Sequence, residues 1–152
     1  FDLTLGRAPA GWRLEGTRLC KLEAGAQIDL GGIGKGAAVD AAVDALVHSD
    51  CAGGWVNAGG DLRVFGDCTL ALALRDERSG ALRPFGRLRD GACATSRYGR
   101  GERSALAGAP AGVDAHLSVL APRCLWADAL TKLAALGRDD LVDAFDARVW
   151  RH

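Results

Sequence analysis

The fold turns on residues 29–40, Asp29-Leu-Gly-Gly-Ile-Gly-Lys-Gly-Ala-Ala-Val-Asp40, in which Gly31, Gly32, Gly34 and Gly36 crowd one short stretch. An acid precedes the glycines, Lys35 stands among them, and an alanine- and valine-rich run follows. Such a stretch suits a tight turn that opens a helix. It also suits an anion cradle, because glycines admit close backbone approach and a helix start offers free N–H groups. Gly32 is expected to use positive φ. The run 34–48 predicts a helix, with Asp40 and Asp44 four apart as a solvated stripe.

Standard phosphate loops fit poorly. A Walker A loop would need glycine at 29 and Ser or Thr at 36, where Asp and Gly stand. A dinucleotide fingerprint beginning at Gly32 ends on Ala37, with no parallel strand unit around it. Upstream, residues 1–27 read as an irregular lead-in with short strands, and 26–30 as the end of a strand. Downstream, 53–74 reads as strands broken by glycine, with a hairpin turn at Gly66–Asp67. Residues 75–91 are charged and glycine-containing, with a loop at 76–80; 92–96 reads as a short buried strand, and 97–115 as a loop rich in Gly, Ala, Arg and Pro. A strand at 116–121, a helix at 125–137 closed by Gly137, a last helix near 138–146 and a terminal strand at 147–150 complete the chain. The class expected is α+β, a mostly antiparallel sheet with packed helices, in a single domain spanning 1–152.

Bulk properties narrow the function. The 152 residues carry 19 basic and 19 acidic side chains and only 6% aromatics, which gives no charged surface or stacking platform for nucleic acid. No apolar run is long enough to cross a membrane as a helix. The five cysteines form no CxxC pair, so buried free thiols are expected rather than a zinc site.

Two further stretches accompany the glycine loop. Residues 56–66 put Asn57, Gly59, Gly60 and Asp61 in a row, where Asn57 and Asp61 can order the turn backbone. In Ala127–Lys132, Asp128 and Thr131 share a helix face as hard oxygen donors; the alternative is a helix cap and a core-facing hydroxyl.

Together these stretches resemble the ApbE family of flavin transferases, FAD:protein FMN transferases. The family carries DLGGIxKGxAVD, VNAGGDxRVxG, ATSxxY and ADALxT segments, matched here at Asp29–Asp40, Val56–Gly66, Ala94–Tyr98 and Ala127–Thr131. The opening Phe1–Gly6 is similar to the family's mid-chain FDPTVG. The resemblance implies FAD as substrate, Mg2+ as cofactor, and FMN transfer to a Thr or Ser of a target protein. It implies flavin or phosphate contacts from Asp29, Gly31, Gly32, Lys35, Asn57, Gly59, Gly60, Thr95 and Ser96. It implies a metal site from the Gly32 carbonyl, Asp128 and Thr131. It also implies a periplasmic or membrane-associated setting, and an N-terminal portion, from this protein or a second chain, that completes the flavin pocket.

The departures are specific. The family's HxxDPRTG segment has no counterpart, and its metal threonine falls at Lys132, with Thr131 one residue early. A non-catalytic flavin- or nucleotide-binding domain, or a degenerate relative, is therefore the competing reading.

Overall fold

The computed structural model describes residues 11–28, 30–76, 79–99 and 113–152. They fall in two compact units, Phe1–Leu30 and Gly31–His152. In the first, β1 (Trp12–Glu15) and β2 (Arg18–Lys21) pair antiparallel around Gly16. The strand expected at 26–30 does not form at the described positions. Gln27 and Ile28 are exposed and lie in no ladder, so their backbone has no partner strand.

The second unit holds five strands: β3 (Gly53–Ala58), β4 (Asp61–Arg75), β5 (Leu82–Tyr98), β6 (Ala115–Ala121) and β7 (Arg148–Arg151). They form one sheet in sequence order, antiparallel throughout. Helix α1 (Gly34–His48) precedes the sheet, and α2 (Cys124–Ala135) and α3 (Asp139–Asp143) lie between β6 and β7. The α+β class is as expected, and α1 has the expected ends. Gly137 follows α2 with φ +74°, the left-handed residue that stops the helix.

One expectation changes in the central hairpin. Gly66–Asp67 is not a turn, because β4 runs straight through it. Gly66 has φ +62°, a Cβ there would sit 2.1 Å from the Ala52 carbonyl oxygen, and Asp67 N–H donates to that oxygen at 3.1 Å. The β4–β5 register slips between Val64 and Thr69, so this glycine makes a bulge. The β3–β4 turn falls instead at Gly59 and Gly60, with φ +66° and +103°. The charged residues after 81 are strand. They belong to β5 and pair with β4 from Arg75–Leu82 to Thr69–Arg89, standing exposed while the backbone ladder holds them. Most of the loop expected at 97–115 lies outside the described residues.

The core follows strand alternation. Ala92 and Ala94 of β5 and Leu117, Val119 and Ala121 of β6 meet Val39 of α1 and Ala127, Leu130 and Leu133 of α2. Small strand residues let the helices lie close to the sheet. A second cluster gathers Leu62, Val64, Leu88 and Cys93. All five cysteines are free. Burial pushes the Cys93 and Cys124 thiols up to about 11 and about 12, so they are inert, whereas Cys51 is exposed, against expectation.

Helices α1 and α2 are joined by exchanged carboxylates. Asp40 of α1 is buried, not part of a solvated stripe. Its oxygens accept the first N–H groups of α2, from Cys124 at 3.1 Å and Leu125 at 2.9 Å. Arg63 and Arg123 neutralise it at 2.9 and 3.3 Å. In return Asp128 of α2 accepts the Gly36 N–H of α1 at 3.1 Å. The helices approach so closely that a Cβ on Gly36 would lie 2.3 Å from the Cys124 carbonyl oxygen. Asp40→Ala is expected to cost about 3–5 kcal/mol, since it strips an anion from the α2 start and leaves the half-buried Arg63 with only its longer, 3.4 Å pair to Asp44. Urea denaturation measures this; a loss below ~1 kcal/mol would reduce Asp40 to an ordinary surface cap.

Candidate functional site

The site residues gather where three segments of the second unit meet: the glycine loop into α1, the β3–β4 turn, and the first turns of α2. Among the four loop glycines of this unit, none has positive φ, so the expected strain at Gly32 is absent. Gly32 instead lies against the Lys132 stem: a Cβ there would lie 3.1 Å from Lys132 Cε, a side-chain neighbour. Gly36 is the packing glycine between the helices. Gly31 is exposed at the head of the loop, and Asp29 lies outside the described residues.

Lys35 stands on the first turn of α1 and pairs with Asp61 at the head of β4. Sequence reading placed Asp61 only as a turn-ordering residue; it is buried, and its Oδ1 has no hydrogen-bond partner. The available signal was one lone charge of each sign in two glycine-rich loops. Burial pushes the Asp61 carboxyl above 3.8, the Lys35 hydrogen bond pulls it back, and the nearby Asp128 charge adds to the rise. Burial alone would lower Lys35, but the Asp61 hydrogen bond and charge outweigh it, so its ammonium form is favoured.

The β3–β4 turn is ordered as expected on the Asn57 side, where Asn57 Oδ1 accepts the Gly60 N–H at 2.8 Å. Asn57, Gly59 and Gly60 line a cleft of about 670 Å3 with Thr95, Phe85 and His116, and Leu62, Leu72 and Leu74 add apolar wall. One turn therefore borders the cleft and also carries Asp61 to Lys35.

Strand alternation divides the 94–98 segment. Thr95 faces the cleft and shares a 2.7 Å hydrogen bond with Ser118, whose hydroxyl reaches His152 Nε2 at 3.0 Å. Burial, with His116 and Arg83 nearby, lowers His152 below its ordinary value. Ser96 and Tyr98 point to the helix side, donating to or sharing bonds with Thr131 Oγ1 at 3.1 and 3.0 Å. The structure thus brings Gly32, Lys35 and Asp128 together, holds Ser96 behind them on Thr131, and keeps Asn57, Gly59, Gly60 and Thr95 along the cleft.

The donors expected to hold Mg2+ do not fit it. Asp128 Oδ2 is taken by Gly36 N–H, and Oδ1 by the Lys132 ammonium. The Asp128 carbonyl accepts both Thr131 Oγ1 and Lys132 Nζ at 2.7 Å. Thr131 is fully buried among Tyr98, Ser96 and that carbonyl, so it is the core-facing hydroxyl of the alternative reading. Among the described residues no cluster of three or more His, Cys, Asp or Glu could hold an ion. Lys132, at the position of the family's metal threonine, is the residue that engages Asp128, and its i,i+4 spacing from Asp128 is the signal in the sequence.

The ApbE family's sequence model matches residues 4–146. The fold is similar to the flavin transferase ApbE from Vibrio cholerae, with 22% identity and TM-score 0.69 over 93% of this chain and 52% of that one. It is similar to the flavinyl transferase ApbE of Pseudomonas stutzeri, with 24% identity and TM-score 0.69 over 91% of this chain and 49% of that one. The ApbE protein from Thermotoga maritima aligns at 26% identity and TM-score 0.65, over 93% of this chain and 53% of that one. The chain spans about half the length of these structures. No curated protein matches it.

Two variants test the site's internal balance. In Asp61 the raised carboxyl means that the folded chain holds its proton more firmly than the unfolded chain. Stability is therefore lost as pH rises from 3.8 through the raised value. Lys35→Met removes the counter-charge and pushes Asp61 higher. The variant should be less stable than the native chain at neutral pH and recover part of the loss on acidification. Urea denaturation across this range reads it; a pH-independent loss would assign Lys35 to packing. Thr131→Val should cost about 1–3 kcal/mol, because it leaves the buried Tyr98 hydroxyl short of its partner. Thermal unfolding checks this, and an unchanged Tm would mean that Tyr98 finds another acceptor.

Proposed function

The chain belongs to the ApbE family, and from that premise we propose that it is the FAD-binding part of an FAD:protein FMN transferase. FAD would lay its flavin along the cleft and its diphosphate toward the glycine loop. The observation that carries this reading is the Asn57–Asp61 turn. On one side it borders a cleft with apolar and polar walls, of a size suited to a large planar ligand. On the other it meets a lysine at the start of a helix.

The chemistry asked of such a site is modest. A hydroxyl of a target Ser or Thr attacks the phosphorus on the flavin side of the diphosphate. A P–O bond to the target forms, the bond to the bridging oxygen breaks, AMP leaves, and the hydroxyl proton is released. Catalysis then consists largely of positioning and of neutralising charge on phosphate oxygens. Lys35 supplies a positive charge at the diphosphate end, while Asp61 fixes where that charge sits. The Asn57–Gly60 turn, with two glycines at positive φ, keeps backbone close to the ligand without side chains in the way. The Mg2+ that the family resemblance attaches to Gly32, Asp128 and Thr131 is assigned no step, since those donors are engaged. A periplasmic or membrane-associated setting belongs to the same proposal by resemblance.

The test is an FAD titration followed by flavin fluorescence, then incubation with a flavinylation target and detection of covalent FMN. Native chain should bind FAD saturably. Lys35→Met should weaken binding by roughly 10- to 100-fold, the loss of one charge-assisted contact. Native chain that binds no FAD would overturn the reading. Binding without covalent FMN on any target would leave a flavin-binding domain, the competing reading.

A further inference from the structure

We infer that the Lys132 ammonium is the resident cation of this site, standing where the family resemblance puts a divalent metal and making phosphate binding here independent of Mg2+. Both ends of the expected metal position meet this one side chain. Its Nζ bonds the Asp128 carboxylate and, at 2.7 Å, the Asp128 carbonyl. Its stem runs against Gly32, where an added Cβ would lie 3.1 Å from Cε. A metal entering between Gly32 and Asp128 would have to displace the ammonium from two oxygens.

The charges say the same. Asp61 and Asp128 are close enough to act on one another, and Lys35 and Lys132 both act on Asp61. Two carboxylates face two ammoniums, so the cluster is neutral and has no surplus negative charge to attract a second cation. Without Lys132 the same cluster would carry one net negative charge beside buried oxygens, the condition that draws a hard cation. Lys132 is also not an ordinary surface pair on its helix. The Asp128 side chain is only 1% exposed and that of Lys132 25%, so water competes weakly for either. A single ammonium offers three donors and one charge, where Mg2+ offers two charges and an octahedral shell. The bound diphosphate therefore meets a weaker field, shared between Lys132 and Lys35.

This inference uses the proposed function only to name the ligand; the metal arm of the test needs no flavin. Thermal unfolding is followed with MgCl2 added alone, for native chain and Lys132→Thr. Native chain should show no saturable rise in Tm. Lys132→Thr, with Asp128 Oδ1 released, should show a saturable rise of several degrees, reversed by EDTA. Should Lys132→Thr not fold, Lys132→Met takes its place, since it keeps a stem against Gly32 and removes the charge. A saturable Mg2+ shift in native chain would overturn the inference, and so would a variant that Mg2+ does not stabilise. In the second arm, FAD affinity of native chain should be the same in EDTA and in Mg2+, while that of the variant should need Mg2+. Absence of FAD binding in every condition would overturn the proposed function and leave the metal arm to decide this inference.

Discussion

Two helices that trade carboxylates hold this structure in place. Asp40 of α1 closes the start of α2, and Asp128 of α2 closes the start of α1. Each helix thus has its exposed N–H groups answered by an acid from the other, where local capping would have come from its own flanking residue. Neither Ile33 nor Arg123, the residues at the two N-caps, makes a side-chain cap. The exchange works only at short range, which is why Gly36 faces the Cys124 carbonyl with no room for a Cβ. Because α1 and α2 lie on one side of the sheet, this contact also fixes where the glycine loop stands relative to β5 and β6.

That arrangement decides which residues remain free for a ligand. Asp128 serves α1 with one oxygen and Lys132 with the other, so its carboxylate is a structural joint. Thr131 is likewise spent, tying α2 to Ser96 and Tyr98 of β5. What is left on the solvent side is Lys35, half-exposed, with Asp61 behind it, and the turn that leads to the cleft. The start of α1 keeps its positive end, but an internal anion already answers part of it, so an incoming phosphate gains less from the helix than a bare terminus would give.

Much of this was legible in the chain, and the failures have physical reasons. The α1 boundaries were readable because glycine ends abruptly in an alanine–valine run. The end of α2 was readable because Gly137 alone there can take φ +74°. The site segments were recognisable because their residue order is specific. The bulge at Gly66 was not legible: a glycine at positive φ looks alike in a turn and in a bulge, and only the Ala52 carbonyl packed against it decides. The early part of β5 was hidden for the opposite reason. Its charged side chains stand exposed, and what makes it a strand is a ladder to a segment several residues upstream. Asp40 was misread because helical spacing gives its angular position but not what lies opposite, and the backbone start of a helix far along the chain lies there.

Lys132 joins these two levels. By spacing alone it is an i,i+4 partner of Asp128, a pair that on an open helix contributes little. Its setting changes the sign of what it can do. With Asp128 buried as a cap, a lone carboxylate would be costly, and something positive must accompany it. A metal ion could do so, but only by displacing Lys132 from the Asp128 Oδ1 and carbonyl, the second of which Thr131 also bonds. An ammonium on the same helix already satisfies the charge. The residue that compensates the joint is therefore the residue that closes the metal position, so packing and cofactor use at this site are set by one constraint.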